Sequence, residues 1–120
     1  MGYAQEELEK AASSVGMQVL IQGELPESEK IQRVFLRCGL ECLLNAHQHA
    51  SATEMRIVIL RSKQRHTVTF RFSNDGDRPS GHIQPIGGLQ MIRAAVEEAH
   101  GAWSLSDHPD FLLEIELPLP

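Results

Sequence analysis

No stretch of this chain approaches the ~20 consecutive apolar residues that a helical membrane span requires, and no secretory leader opens it. Membrane contact is therefore not expected. Cysteine is scarce, with only Cys38 and Cys42 present. They fall four apart on an expected helix, which shares a face between them while holding their backbones apart, so a reducing, cytoplasmic setting is expected. Positive charge is also short: 11 Lys and Arg against 16 Asp and Glu give a formal net charge of -5. That balance disfavours nucleic acid as the main partner. Repeats, low-complexity tracts and interdomain linkers are missing too, and 120 residues are too few for two ordinary domains. What remains is a single globular domain over residues 1–120, 42% hydrophobic and 22% charged.

Periodicity divides that domain into eight elements. Residues 4–14 are rich in helix formers, with Gly16 near the expected stop, and "MQVLIQ" (17–22) reads as a strand. Pro26 and Ser28 signal a long helix from near residue 27 to Ala50, whose apolar residues recur at three and four. Alternation in "MRIVILR" (55–61) and "HTVTFRF" (66–72) predicts an antiparallel hairpin across "SKQR". The glycine- and proline-rich run 73–88 has no period and is long for a loop, a length that usually carries function. A third helix (89–100) stopped by Gly101 and a closing hairpin, "WSLS" with "FLLEIEL" around "DHPD", complete the chain. The order α-β-α-β-β-loop-α-β-β predicts an α+β, two-layer sandwich: a mainly antiparallel five-stranded sheet covered on one face by three helices.

Within "ECLLNAHQHA" (41–50), Glu41, Asn45 and His49 stand four apart. At ~3.6 residues per turn they drift only about 40° per step and form one column. Leu40, Leu43 and Leu44 flank it, which predicts a column beside the core. A carboxylate and an amide are hard oxygen ligands suited to Mg²⁺, which is usually completed by substrate phosphates. The same pattern suits an exposed helix side with His49 complementing the helix dipole at its C-terminus. His47 and His49 point roughly 200° apart, so they do not share a zinc ion.

"NDG" (74–76) follows a strand directly and is first a tight-turn signature. Beyond it, Gly87-Gly88 opens a helix. Unpaired amides at a glycine-flanked helix start favour phosphate, although the pair also reads as a hinge. A Mg²⁺-suited column and a phosphate-suited helix start together point to a nucleotide site, with the loop between them able to close as a lid.

These residues resemble the ATP-binding catalytic domain of sensor histidine kinases, within the GHKL (gyrase, chaperone, histidine kinase, MutL) ATPases of Bergerat fold. The N box of the short-lid subgroup, E-x-x-x-N-A-x-x-H-A, is matched by Glu41, Asn45-Ala46 and His49-Ala50, with Arg37 four residues earlier. The G1 box is matched by "FSNDGD" (72–77), the G2 box by "GGLQMIRAAVEEAHGAWSLS" (87–106), and the last strand by "FLLEIELPLP". The resemblance runs from "LIQGELP" to the end, and three weak motifs in order are more specific than any one of them.

By that resemblance Glu41 is the general base or orienting carboxylate, and Asn45, with Glu41, holds Mg²⁺. Asn74 faces the adenine amino group, Asp75 and Gly76 belong to the base side, and Gly76 allows close approach. Gly87, Gly88 and Leu89 frame the phosphates, and Gln48 and His49 stand on the phosphate side of the N box. The implied cofactors are ATP and Mg²⁺. The implied chemistry is transfer of the γ-phosphoryl group to a histidine on a dimerisation helix.

The sequence departs from the family at three points. Asn74 stands where the family has Asp, Gln48 where the subgroup has Lys or Arg, and Ile86 where the first glycine of G-x-G-L belongs; the second glycine of D-x-G-x-G is also missing. An amide accepts a hydrogen bond without charge assistance, so weakened nucleotide binding is expected, by over tenfold for one charged contact. The resemblance implies a monomeric fragment of a larger kinase, partnered by that kinase's phosphoacceptor domain and indirectly by a response regulator. Two other readings share the fold: a degenerate, non-catalytic regulatory domain, and a stand-alone serine kinase of the anti-sigma-factor type.

Overall fold

The computed structural model describes residues 3–78 and 88–120. Its elements are α1 (Tyr3–Ser14), β1 (Gln18–Gln22), α2 (Glu29–His49), β2 (Glu54–Ser62), β3 (Thr67–Asn74), α3 (Gly88–Glu98), β4 (Ala102–Ser106) and β5 (Leu112–Pro118). This is the element order that the sequence predicts. Boundaries move by one or two residues: Ser73 and Asn74, expected in the loop, continue β3, and Gly88 already belongs to α3.

The strands form one sheet in the order β1-β2-β3-β5-β4. Only β1 and β2 pair in parallel, because α2 carries the chain back across the sheet between them. The other three pairings are antiparallel. Alternation along β3 turns Val68, Phe70 and Phe72 inward, and along β5 Leu113, Ile115 and Leu117. The outer sheet face carries ion pairs, Arg71 bonded to Glu114 at 2.6 Å and Arg65 to Glu116 at 2.8 Å, together with the exposed Leu20 and Leu60.

α2 crosses the inner face and is anchored by Phe35, whose ring lies 5.0 Å from that of Phe70 and 6.0 Å from that of Phe72. α1 packs beside it: Gly39 lets Leu8 sit against the α2 backbone, where a Cβ would press on the leucine's methyl groups. Cys38 and Cys42 are free and fully inside this core, and burial pushes the Cys38 thiol up to about 12. They act as small apolar residues there.

Helix ends follow the sequence signals with one correction. Ser28 is the N-cap of α2, its Oγ accepting from the Ile31 N–H at 3.3 Å. α1 ends on Gly16, with φ of 73°. α3 closes the same way but one residue earlier than its glycine: His100 takes the left-handed position, φ 62°. The Gly101 N–H then donates to the Val96 carbonyl at 2.9 Å, and the His100 N–H to that of Glu97 at 3.0 Å, a Schellman closure. Gly101 is needed for a different reason, since a side chain there would meet the Glu116 carbonyl.

Candidate functional site

α2 has one side turned to the sheet and a flank turned to α3, and the polar column lies on that flank. Glu41 and Asn45 are half-buried, whereas His49, Gln48 and His47 are exposed. Core borders the column on one side only, through Cys42 and Ala46, while the buried Leu43 lies on the opposite side of the helix. Leu40 and Leu44, expected to enclose the column, are 40% and 45% exposed. The reason is angular: at ~100° per residue they fall on the outward face of α2, diametrically opposed to Phe35 and Cys42.

Glu41 meets the start of α3. The space into which a side chain at residue 88 would project is filled by the Glu41 carboxylate. Gly88 is thus a matter of room: it lets the acid lie against the first turn of a helix, where free N–H groups and the dipole favour negative charge. Leu89, the next residue, is 7% exposed and belongs to the core. Gly87 and Ile86, and the expected lid around them, lie outside the described residues.

One turn along α2 stands Asn45. Its Nδ2 is shut off from solvent and has no hydrogen-bond partner among the described residues. A buried amide without a partner forfeits about 1–3 kcal/mol, so such groups are rare unless a ligand or an ion completes them. Glu41 thus lies at a helix start, with Asn45 one turn further along α2. The orphaned Nδ2 is a donor and fits an acceptor such as a phosphate oxygen, while the Glu41 carboxylate and Asn45 Oδ1 are oxygens of the kind that hold hydrated Mg²⁺.

Past Asn45 the helix ends at Ala50, and here the turn after β3 is sewn to it. The Asp77 N–H donates to the Ala50 carbonyl at 2.7 Å. A side chain at Gly76 would run into that same carbonyl, so the close approach this glycine permits is to the end of α2. Asp75 points away from α2, to the start of β2. Its carboxylate accepts from the Thr53 N–H at 2.9 Å, the Thr53 hydroxyl at 2.6 Å and the Glu54 N–H at 2.9 Å. These bonds, that from the Thr53 hydroxyl first, hold the Asp75 carboxyl below its ordinary range. Asn74, half-buried at the end of β3, accepts at Oδ1 from the Gly76 N–H at 2.8 Å.

The structure thus brings Glu41 and Gly88 together, with Asn45 one turn along α2, and gathers Asn74, Asp75 and Gly76 where that helix ends. It leaves His49 and Gln48 outside, on the exposed side of the helix end. Thr53 was not singled out from the sequence, because only the β2–β3 pairing brings it to Asp75.

No protein-family model matches the sequence, and no curated protein sequence does. Solved structures do match. A blue-light activated histidine kinase of Erythrobacter litoralis superposes with a TM-score of 0.71 at 19% identity, over 95% of this chain and 41% of that one. Full-length ShkA, solved in complex with AMPPNP, gives 0.68 at 16% identity over 96% of this chain and 28% of its own. The ATP-binding domain of PrrB from Mycobacterium tuberculosis gives 0.61 at 17% identity, over 96% of this chain and 93% of that domain. The chain spans less than half of the first two kinases and almost all of the isolated domain. The fold of this chain is accordingly that of the ATP-binding catalytic domains of histidine kinases.

Proposed function

We propose that this domain binds Mg²⁺ and ATP on the flank of α2 and, within a larger sensor histidine kinase, donates the γ-phosphoryl group to a histidine on a dimerisation helix. The observation that carries this reading is the orphaned Asn45 Nδ2, a donor that a phosphate oxygen would satisfy, one turn from the Glu41 carboxylate that fills the space a side chain at residue 88 would take. Asn45 and Glu41 would hold the metal, and Glu41 would orient or accept the proton of the attacking group. The main-chain N–H groups of Gly88 and Leu89 would bind phosphate oxygens. Asn74 would face the base, on the turn fixed by Asp75 and Gly76. When bound, Mg²⁺ neutralises charge on the phosphate oxygens. The protein's share is then positioning, which supplies most of the catalysis in phosphoryl transfer.

The test is calorimetric titration of the chain with an ATP analogue and Mg²⁺. Saturable binding in the millimolar range or tighter is expected, lost in Asn45→Ala. Absence of binding at several millimolar nucleotide, with thermal unfolding showing a folded protein, overturns the reading. Phosphoryl transfer itself is read by mixing the chain with the dimerisation domain of its parent kinase and following label from γ-labelled ATP.

A further inference from the structure

β1 is an edge strand whose outer side pairs with nothing among the described residues. The Gln18 N–H donates to the Thr53 carbonyl at 3.0 Å, and along the parallel ladder the main chains of Gln18, Leu20 and Gln22 face β2 in turn. The main-chain N–H and carbonyl groups of Val19 and Ile21 therefore point out from the sheet edge. Native proteins blunt such edges with a lysine, a proline or a bulge. β1 has neither charge nor proline, for its sequence is Gln-Val-Leu-Ile-Gln. That sequence reads nearly the same in both directions about Leu20, which is 52% exposed on the outer sheet face.

We propose that β1 pairs antiparallel with β1 of a second copy of this chain, across a two-fold axis through Leu20, joining two five-stranded sheets into one. About that axis Val19 lies opposite Ile21 of the second copy, and Ile21 opposite Val19. These are the residues whose main chains face outward, so each such pair exchanges both of its hydrogen bonds. Leu20 then meets Leu20 at a position without hydrogen bonds, where Cα atoms approach to about 4.5 Å and side chains lie closest. Gln18 faces Gln22 of the second copy, two amides that can bond each other. Moving the axis to Val19 or Ile21 would set Leu20 against a glutamine and lose the apolar pair. No like charges meet at the axis, and Arg56, beside Leu20 in the ladder, is already paired with Glu54. Any extended peptide would satisfy the main chain, but a copy of β1 also matches the side chains. The opposite edge, β4, turns the small Ala102 and Ser104 outward and has little apolar area to bury there. α1 lies against β1 and α3 against β4, so pairing at β1 leaves Glu41 and Gly88 open.

Sedimentation equilibrium of the chain up to about 1 mM tests the contact, because pairing through one short strand is a small and weak interface. Expected is a reversible rise from 13.4 kDa toward twice that mass. A single 13.4 kDa species throughout overturns the proposal. Leu20→Lys sets like charges face to face at an exposed position, and should weaken pairing by about tenfold or more while thermal unfolding stays unchanged. A dimer that this change leaves as tight as wild type places the contact elsewhere and overturns the proposal. Mild oxidation reads the register, since the native thiols are buried. Leu20→Cys should form an intermolecular disulfide, whereas Gln18→Cys, about 13 Å from its counterpart at ~3.4 Å per residue, should not. Gln18→Cys linking as readily as Leu20→Cys, or neither linking while wild type dimerises, overturns antiparallel pairing about Leu20.

Discussion

Gly88 and Asp75 show how single residues here separate stability from function. At Gly88 the missing Cβ makes room for the flexible end of Glu41 rather than for packed backbone. Gly88→Ala should therefore be nearly neutral or slightly stabilising, since alanine favours the helix by about 1 kcal/mol. It should nevertheless displace the carboxylate and weaken Mg–nucleotide binding by tenfold or more, on the order of one charged contact. Thermal unfolding and titration on the same sample check both halves, and a variant that binds normally would free Glu41 from the assigned role. Asp75 behaves in the opposite sense. Its folded-state pKa is depressed by the bonds from Thr53 and Glu54, so its contribution to stability is complete above the ordinary carboxylate pKa and is lost as pH falls through the folded one. Asp75→Asn should lower the unfolding midpoint at neutral pH, and the gap from wild type should narrow as pH falls below the ordinary carboxylate range. A gap that stays constant with pH would mean that the carboxylate's charge is not what holds the turn. Asp75 was read from the sequence as part of the base side. Its three hydrogen bonds give it a second, architectural task that local sequence does not disclose, because both partners lie more than twenty residues upstream.

At the scale of elements, α2 carries both core residues and the candidate site. One side holds Ile31, Phe35, Cys38, Cys42 and Ala46 against the sheet, and the flank holds Glu41 and Asn45. Phe35 is its anchor, seated between Phe70 and Phe72. Phe35→Ala should cost about 3–5 kcal/mol, the usual penalty for emptying such a site, as measured by urea denaturation. A loss below 1 kcal/mol would show that the three-ring cluster does not tie α2 to the strands. The helix was legible from its period, and so was the Ser28 cap. What period alone did not resolve was the side on which Leu40 and Leu44 lie. Three leucines near a column suggest core all round it, but the helix has a flank open to α3 and a face open to solvent. Only the packed neighbours tell these apart. The closure of α3 follows the same pattern. Gly101 marked the right place in the sequence, yet the left-handed residue is His100, and the glycine answers to the Glu116 carbonyl on β5.

Across the whole molecule, a single core runs from Leu8 and Ala12 on α1 through the sheet to Val96 on α3 and Leu117 on β5. The likeness to histidine-kinase domains rests on this architecture, at 19% identity or less in the structures compared. The sequence by itself determined the element order and the column Glu41, Asn45, His49. Each of these follows from local propensity, from hydrophobic period or from fixed spacing along one helix. Tertiary structure alone decided the surroundings of each member of that column. It brought α3's first turn onto Glu41, buried the Asn45 amide without a partner and left His49 in solvent. It also tied the turn after β3 to Thr53 and Ala50. The physical reason is that a side chain's chemistry depends on what is near it in space, and those neighbours come from α3, β2 and the end of α2, which meet only when the sheet has formed.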